Sequence, residues 1–142
     1  MATIAKSAQG TLLKLESSTS AGTFATVPEV HKVTAPNVKF DLLDATSHDS
    51  TGGFKEYIPG LSDGENCSAE FWFVPTNALH IQLRTDSYAR TLKNWKLIFP
   101  TGGTGSEIDF AAYVVGLNPQ ADAGQLLKST LTAKVTGQPT WV

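Results

Sequence analysis

The chain has little of what most biochemical functions require. Cys67 is the only cysteine among 142 residues, which excludes an intrachain disulfide and a thiolate metal cage. A small hydrophobe buried on a strand is the expected role for it, ahead of a reactive thiol. Charge is also scarce: Asp, Glu, Lys and Arg make up 17% of the chain, against about 25% in an average soluble domain. The formal net charge of −2 leaves no basic footprint for gripping nucleic acid. A protein that merely lets a polyanion pass would lack that footprint too. No run approaches the ~18 apolar residues of a membrane helix, and Met1 to Lys6 hold no apolar core of signal-peptide length. The expected setting is a reducing cytoplasm, or exit by a route other than secretion. Asn66-Cys67-Ser68 is then a chance match to the glycosylation pattern.

Constellations that carry catalysis are missing as well. His31, His48 and His80 lie on separate segments without metal-ligand spacing, and each is expected to be an exposed, isolated histidine. His48-Asp49-Ser50 spells the letters of a catalytic triad, but a triad is defined by geometry, and neighbours on an extended chain point to opposite sides. Local turn hydrogen bonds explain these residues better. Gly103-Thr104-Gly105 leads into a strand pattern with no phosphate-binding lysine, so it reads as a hairpin turn. Asp41, Asp44, Glu65, Glu70, Glu107 and Asp109 are scattered and read as solvated. Neither an enzyme nor a cofactor is expected.

What fills the space is Thr, Ser, Gly and alternating apolar residues, with 41% of the chain apolar. Leu13 and Leu15 alternate with charged neighbours over 11–16. A turn cluster at 17–22 and an extended stretch at 23–27 complete a hairpin, placed at a sheet edge because Pro28 cannot donate to a ladder. From Asn37 to Asp44, Val38, Phe40 and Leu42 share one face, opposite Lys39 and Asp41. From Asn66 to Val74, Cys67, Ala69, Phe71 and Phe73 share a face. Thr76 then caps a helix over about 77–89, in which Leu79 pairs with Leu83 while Ile81 and Tyr88 occupy another sector. Three further strands follow, marked by Trp95, Leu97 and Phe99, by Ile108, Phe110, Ala112 and Val114, and by Leu127, Leu131, Ala133 and Val135. The pattern predicts a mainly β, antiparallel sandwich or barrel-like domain of about seven or eight strands with one flanking helix. It is a single domain over 1–142, with a loose N-terminal arm at 1–10 and a C-terminal tail at 137–142.

Two aromatics stand out. Trp72 lies on the polar side of its strand and reads either as a second core layer under the helix, which is preferred, or as an exposed platform for a carbohydrate. Trp141 should pack, on its own domain or on a partner. The loop over about 45–65 is longer and more polar than a compact domain usually keeps. Tyr57, Ile58 and Pro59 give it an anchor, so it reads as an arm that docks on something else.

Asp44-Ala45-Thr46-Ser47-His48-Asp49-Ser50, Glu56-Tyr57-Ile58-Pro59-Gly60-Leu61-Ser62-Asp63-Gly64 and the strand–Pro–helix–strand series from Asn66 to Pro100 resemble the major tail, or tail tube, proteins of long-tailed bacteriophages with non-contractile tails. The resemblance spans roughly residues 10 to 136 and brings no catalytic residue. It implies hexameric rings whose sheets join around a channel and stack into a tube. The genome would pass through without specific binding, in a virion tail assembled in the host cytoplasm and without a membrane. Implied partners are other copies of the chain, a tape-measure protein, and tail tip and terminator proteins. Thr46, Ser47, His48, Asp49, Tyr57, Ile58 and Pro59 are the expected inter-ring contacts, and Lys39 and Asp41 the expected lumen-facing residues. A carbohydrate- or receptor-binding β-sandwich of a tail tip or adhesin is the alternative.

Overall fold

Alternation of apolar and polar residues sets the architecture, because each strand buries one face. The structure, a computed structural model, describes residues 2–17 and 19–142. Met1 of the N-terminal arm and Ser18 of the first turn lie outside them. The described strands are β1 (Leu12–Glu16), β2 (Phe24–Thr26), β3 (Val30–Thr34), β4 (Val38–Asp44), β5 (Tyr57–Gly64), β6 (Asn66–Trp72), β7 (Leu92–Ile98), β8 (Glu107–Gln120) and β9 (Lys128–Trp141). One helix, α1 (Ala78–Ala89), separates β6 from β7. Seven strands form one antiparallel sheet in the order β2-β1-β7-β8-β9-β6-β3, and β4 and β5 pair only with each other. The domain is mainly β, as the alternation predicts.

The large sheet buries a single face. Leu13 and Leu15 of β1, Phe71 of β6, Trp95 and Leu97 of β7, Ile108 of β8 and Leu131 and Val135 of β9 form its centre. The sheet curls until β1 and β3 approach one another, which gives it a barrel-like form. The Trp95 indole N–H donates to the Ala112 carbonyl at 3.4 Å. Its partner is thus satisfied within the core, as a buried indole requires. The hairpin of β1 and β2 has β2 at the sheet edge, where Pro28 was expected to put it.

The helix begins one residue later than expected. Asn77 rather than Thr76 is the N-cap, and its side-chain oxygen accepts from the Leu79 and His80 backbone N–H groups at 3.0 and 3.4 Å. Asn caps at least as well as Thr, and it is the residue next to the first helical turn. At the other end Arg90 takes a left-handed conformation (φ 56°, ψ 40°) and donates its N–H to the Asp86 carbonyl. Glycine is the usual occupant of such a position. Arg90→Gly is therefore expected to raise unfolding stability by about 0.5–1 kcal/mol, measured by urea denaturation.

Four local expectations need correction. His80 is 1% exposed, not an exposed histidine. The buried helix face runs through His80, Leu83 and Asp86, a line that the Leu79–Leu83 pairing misses. Trp72 does not lie under the helix, which packs through His80 on Phe71 and Phe73. Instead Trp72 is on the other face of the sheet, stacked on His31 with ring centres 4.2 Å apart. Residues 137–141, expected as a tail, are the end of β9. After a register shift Trp141 pairs opposite Ile108 and stacks on Phe99, and the Val142 N–H donates to the Glu107 carbonyl at 2.8 Å.

Candidate assembly surface

The stretch expected as a loop over 45–65 is shorter, spanning 45–56, because Tyr57 to Gly64 form β5. The strand was hidden by Pro59-Gly60, which interrupts its alternation. Opposite Asp41 the register of β5 slips by one residue, so that both Gly60 and Leu61 face it. Such a bulge flips the side-chain parity partway along a strand. A Cβ on Gly60 would lie 3.1 Å from the Asp41 carbonyl, which explains the glycine. Pro59 is tolerated because a two-stranded ribbon is all edge.

The register sorts the ribbon's side chains onto two faces. Val38, Phe40, Leu42, Pro59 and Tyr57 share one face with Ser62, Asp44 and Gly64; Lys39, Asp63, Leu43 and Ile58 share the other. The first face is an apolar stripe along the whole length. The second is charged near the barrel and apolar near the tip. No residue of β4 is buried. Val38, Phe40, Leu42 and Leu43, whose alternation would suit a core strand, are 46–59% exposed. A lone hairpin is marginal in water, and an apolar surface this continuous marks an interaction site.

At the tip, the loop's polar letters serve local structure. The Thr46 N–H donates to the Asp44 carboxylate at 2.9 Å, and the Glu56 N–H donates to the Thr46 hydroxyl at 2.9 Å. The Ser50 hydroxyl donates to the Glu56 carboxylate at 2.8 Å. Ser47 and Asp49 are tied by short-range bonds to Ser50 and Ser47 hydroxyls. The Thr46 hydroxyl and backbone N–H hold the Asp44 carboxyl below its ordinary range. Thus His48, Asp49 and Ser50 form no relay. The structure brings Thr46 to Asp49 together at the tip, while Tyr57, Ile58 and Pro59 lie on the ribbon rather than in a loop.

At the base, Lys39 and Asp41 leave the apolar stripe on the far side. Lys39 Nζ lies 2.8 Å from a Glu65 carboxylate oxygen. That hydrogen bond raises the Lys39 pKa and, with help from Asn37, lowers that of Glu65. The pairing is therefore complete above the ordinary Glu value of 4.5 and is lost as pH falls through the lower folded value. In base it is lost as pH rises through the raised Lys39 value. An NMR titration of the Glu65 carboxyl should have its midpoint below 4.5, and Lys39→Met should move it upward. Sequence reasoning missed Asn37, Glu65 and Lys134 as partners here; no short-range spacing connects them.

The fold and the site together define a curled β domain that carries an exposed apolar ribbon. The sequence from residue 8 to 142 matches the family described as lambda phage tail tube protein, TTP. The chain belongs to that family, and its role is structural, as a tail tube protein. No curated protein matches the sequence. Among solved structures the fold is similar to a protein in the tail of an empty GTA particle, with a TM-score of 0.82, 16% identity and coverage of 97% of this chain and 99% of that one. It is similar to one in the virion of a native gene transfer agent particle (TM-score 0.79, 15% identity, 97% and 99% covered). It also resembles the SPP1 tail tube protein (TM-score 0.72, 8% identity, 92% and 75% covered).

Proposed function

We propose that copies of this chain close into six-membered rings, that the rings stack into the tube of a virion tail, and that the β4–β5 ribbon joins one ring to the next. The observation that carries this reading is the apolar stripe of Val38, Phe40, Leu42 and Tyr57, which the described residues leave about half exposed. Family membership supports the tube, and the sixfold symmetry of the similar GTA tail supports the ring size. A head-to-tail contact that does not close on itself builds a filament. In a ring, the open edges of β2 and β3 would find partners, which removes a template for aggregation.

The ribbon's charged side suits the channel. Lys39 and Asp41 are the proposed lumen-facing residues, and Thr46 to Asp49 with Tyr57 to Pro59 the inter-ring contacts. A chain of net charge −2 has few cations to spare for phosphates, so a genome could pass without being held. A tape-measure protein would occupy the same channel before the genome does, and tip and terminator proteins would end the tube. Assembly is assigned to the host cytoplasm, and no catalytic step is assigned to the chain. The carbohydrate-binding alternative loses its platform, because His31 covers one face of Trp72.

The loop is the test. Ala45 and Glu56 are joined by a 2.8 Å backbone hydrogen bond, so the neck can close without what lies beyond it. Replacing residues 47–55 with an Asn-Gly turn should leave a folded subunit that forms no tubes by negative-stain microscopy. Tubes of normal length and number from that variant would show that the loop does not dock.

A further inference from the structure

The chain enters and leaves the ribbon through a narrow neck. Residues 35–37 join β3 to β4, and Glu65 alone joins β5 to β6. There the Glu65 N–H donates to the Asn37 carbonyl at 2.7 Å. Side chains supply the rest. The Asn37 amide donates to one Glu65 carboxylate oxygen at 3.1 Å, and Lys39 Nζ lies 2.8 Å from the other. From the barrel, Lys134 Nζ donates to both Asp63 carboxylate oxygens at 3.1 and 3.2 Å and to the Gly64 carbonyl. Lys134 stands on β9 between β6 and β8, so its stem is fixed to the middle of the sheet.

Packing of the ribbon on the barrel is made where β5 meets β9. Gly64 is the one buried residue of β5, and a Cβ there would lie 3.1 Å from Val135 Cγ1. Beyond that contact a trough of about 760 Å³ separates the ribbon base from the end of β9 near Gly137 and Trp141. We propose that Asn37, Lys39, Glu65 and Lys134 are positioning residues that hold the free ribbon at its docking angle before a second copy arrives. This rests on the ribbon's docking role. Exposed ion pairs contribute too little to hold a fold together, but a joint with one backbone hydrogen bond needs little to be restrained. Ordering the ribbon beforehand removes part of the conformational cost of association.

The experiment uses the full chain, kept below its assembly concentration, with nitroxide labels at Lys55→Cys and Thr85→Cys. Cys67 is buried and its thiol is pushed up to about 12, so it stays unlabelled. Electron–electron distance measurements should give one narrow distribution in the parent and a broader one in the Glu65→Gln/Lys134→Met variant. Without the labels, that variant should need about two- to fivefold more protein to begin forming tubes, with its barrel unfolding at the parent's urea midpoint. An unchanged distance distribution overturns the positioning role. If the distribution broadens but neither this variant nor Phe40→Ser/Leu42→Ser shifts the onset of assembly, the docking role of the ribbon is wrong, and positioning falls with it.

Discussion

Replacing Phe40 and Leu42 together with serine should strongly raise the concentration at which tubes form while leaving the barrel folded. Both side chains lie on the apolar stripe of β4 and are more than half exposed in the isolated subunit. The proposed docking would remove that remaining surface from water. At about 25 cal/mol per Å² of apolar area, the two side chains together contribute about 2–3 kcal/mol per subunit. A loss of that size raises the concentration needed for assembly about 30- to 150-fold. The subunit itself should hardly notice, because neither residue belongs to the core formed by Phe71, Trp95 and Leu131. Asp41→Ser, on the same strand but off the stripe, should assemble at the parent's concentration. Light scattering gives the onset, and urea unfolding confirms that the barrel is intact. Assembly of the double variant at the parent's concentration would remove the apolar stripe from the joint.

His80→Ala should produce the largest loss of stability of any single polar substitution considered for this chain. The ring joins three separate parts of the domain. Val74 N–H donates to Nδ1 at 3.1 Å, and Nε2 lies 3.1 Å from the Pro28 carbonyl, to which it donates as the protonated nitrogen. The ring also lies 4.5 Å from the Phe71 ring centre. Truncation removes the partners of a part-buried amide and a part-buried carbonyl and opens a cavity beside Phe71. At these part-buried positions each lost hydrogen bond costs about 1–2 kcal/mol and the cavity adds about 1, for a total of about 3–5 kcal/mol. That is a large share of the stability of a domain this size, about 5–15 kcal/mol. His80→Phe fills the space but loses both hydrogen bonds, and should cost about 2–4 kcal/mol. Urea midpoints decide; a loss below about 1 kcal/mol for His80→Ala would mean that the three elements are held by other contacts.

The barrel was legible because its strands repeat a simple period. Cys67, Ala69 and Phe71 alternate with polar residues, and so do Trp95 and Leu97, and burial follows that alternation residue by residue. β3 was not legible: a register shift between Val30 and Lys32 breaks its period within five residues. The ribbon failed for a different reason. Val38, Phe40 and Leu42 have the pattern of a core strand, and alternation alone does not say whether the apolar face meets the same chain or another one. The bulge at Gly60-Leu61 then concealed the partner strand, so β5 passed for loop. The tip's Ser, Thr and Asp letters were legible as turn chemistry, and they are used that way. His80 was not, since a helix face built on His, Leu and Asp has no clear hydrophobic period. Glu65 and Lys134 lie 69 positions apart in the chain, and only pairing of β6 with β9 brings their neighbourhoods together.

This subunit is proposed to complete its burial by building a tube. Cryo-electron microscopy of the purified chain, concentrated without other tail components, tests it most directly. The expected images are stacked rings, six subunits in end-on view around an open channel, with the β4–β5 ribbon of each ring buried against the next. Monomers that persist at every concentration, or filaments in which Phe40 and Leu42 remain in solvent, would contradict it.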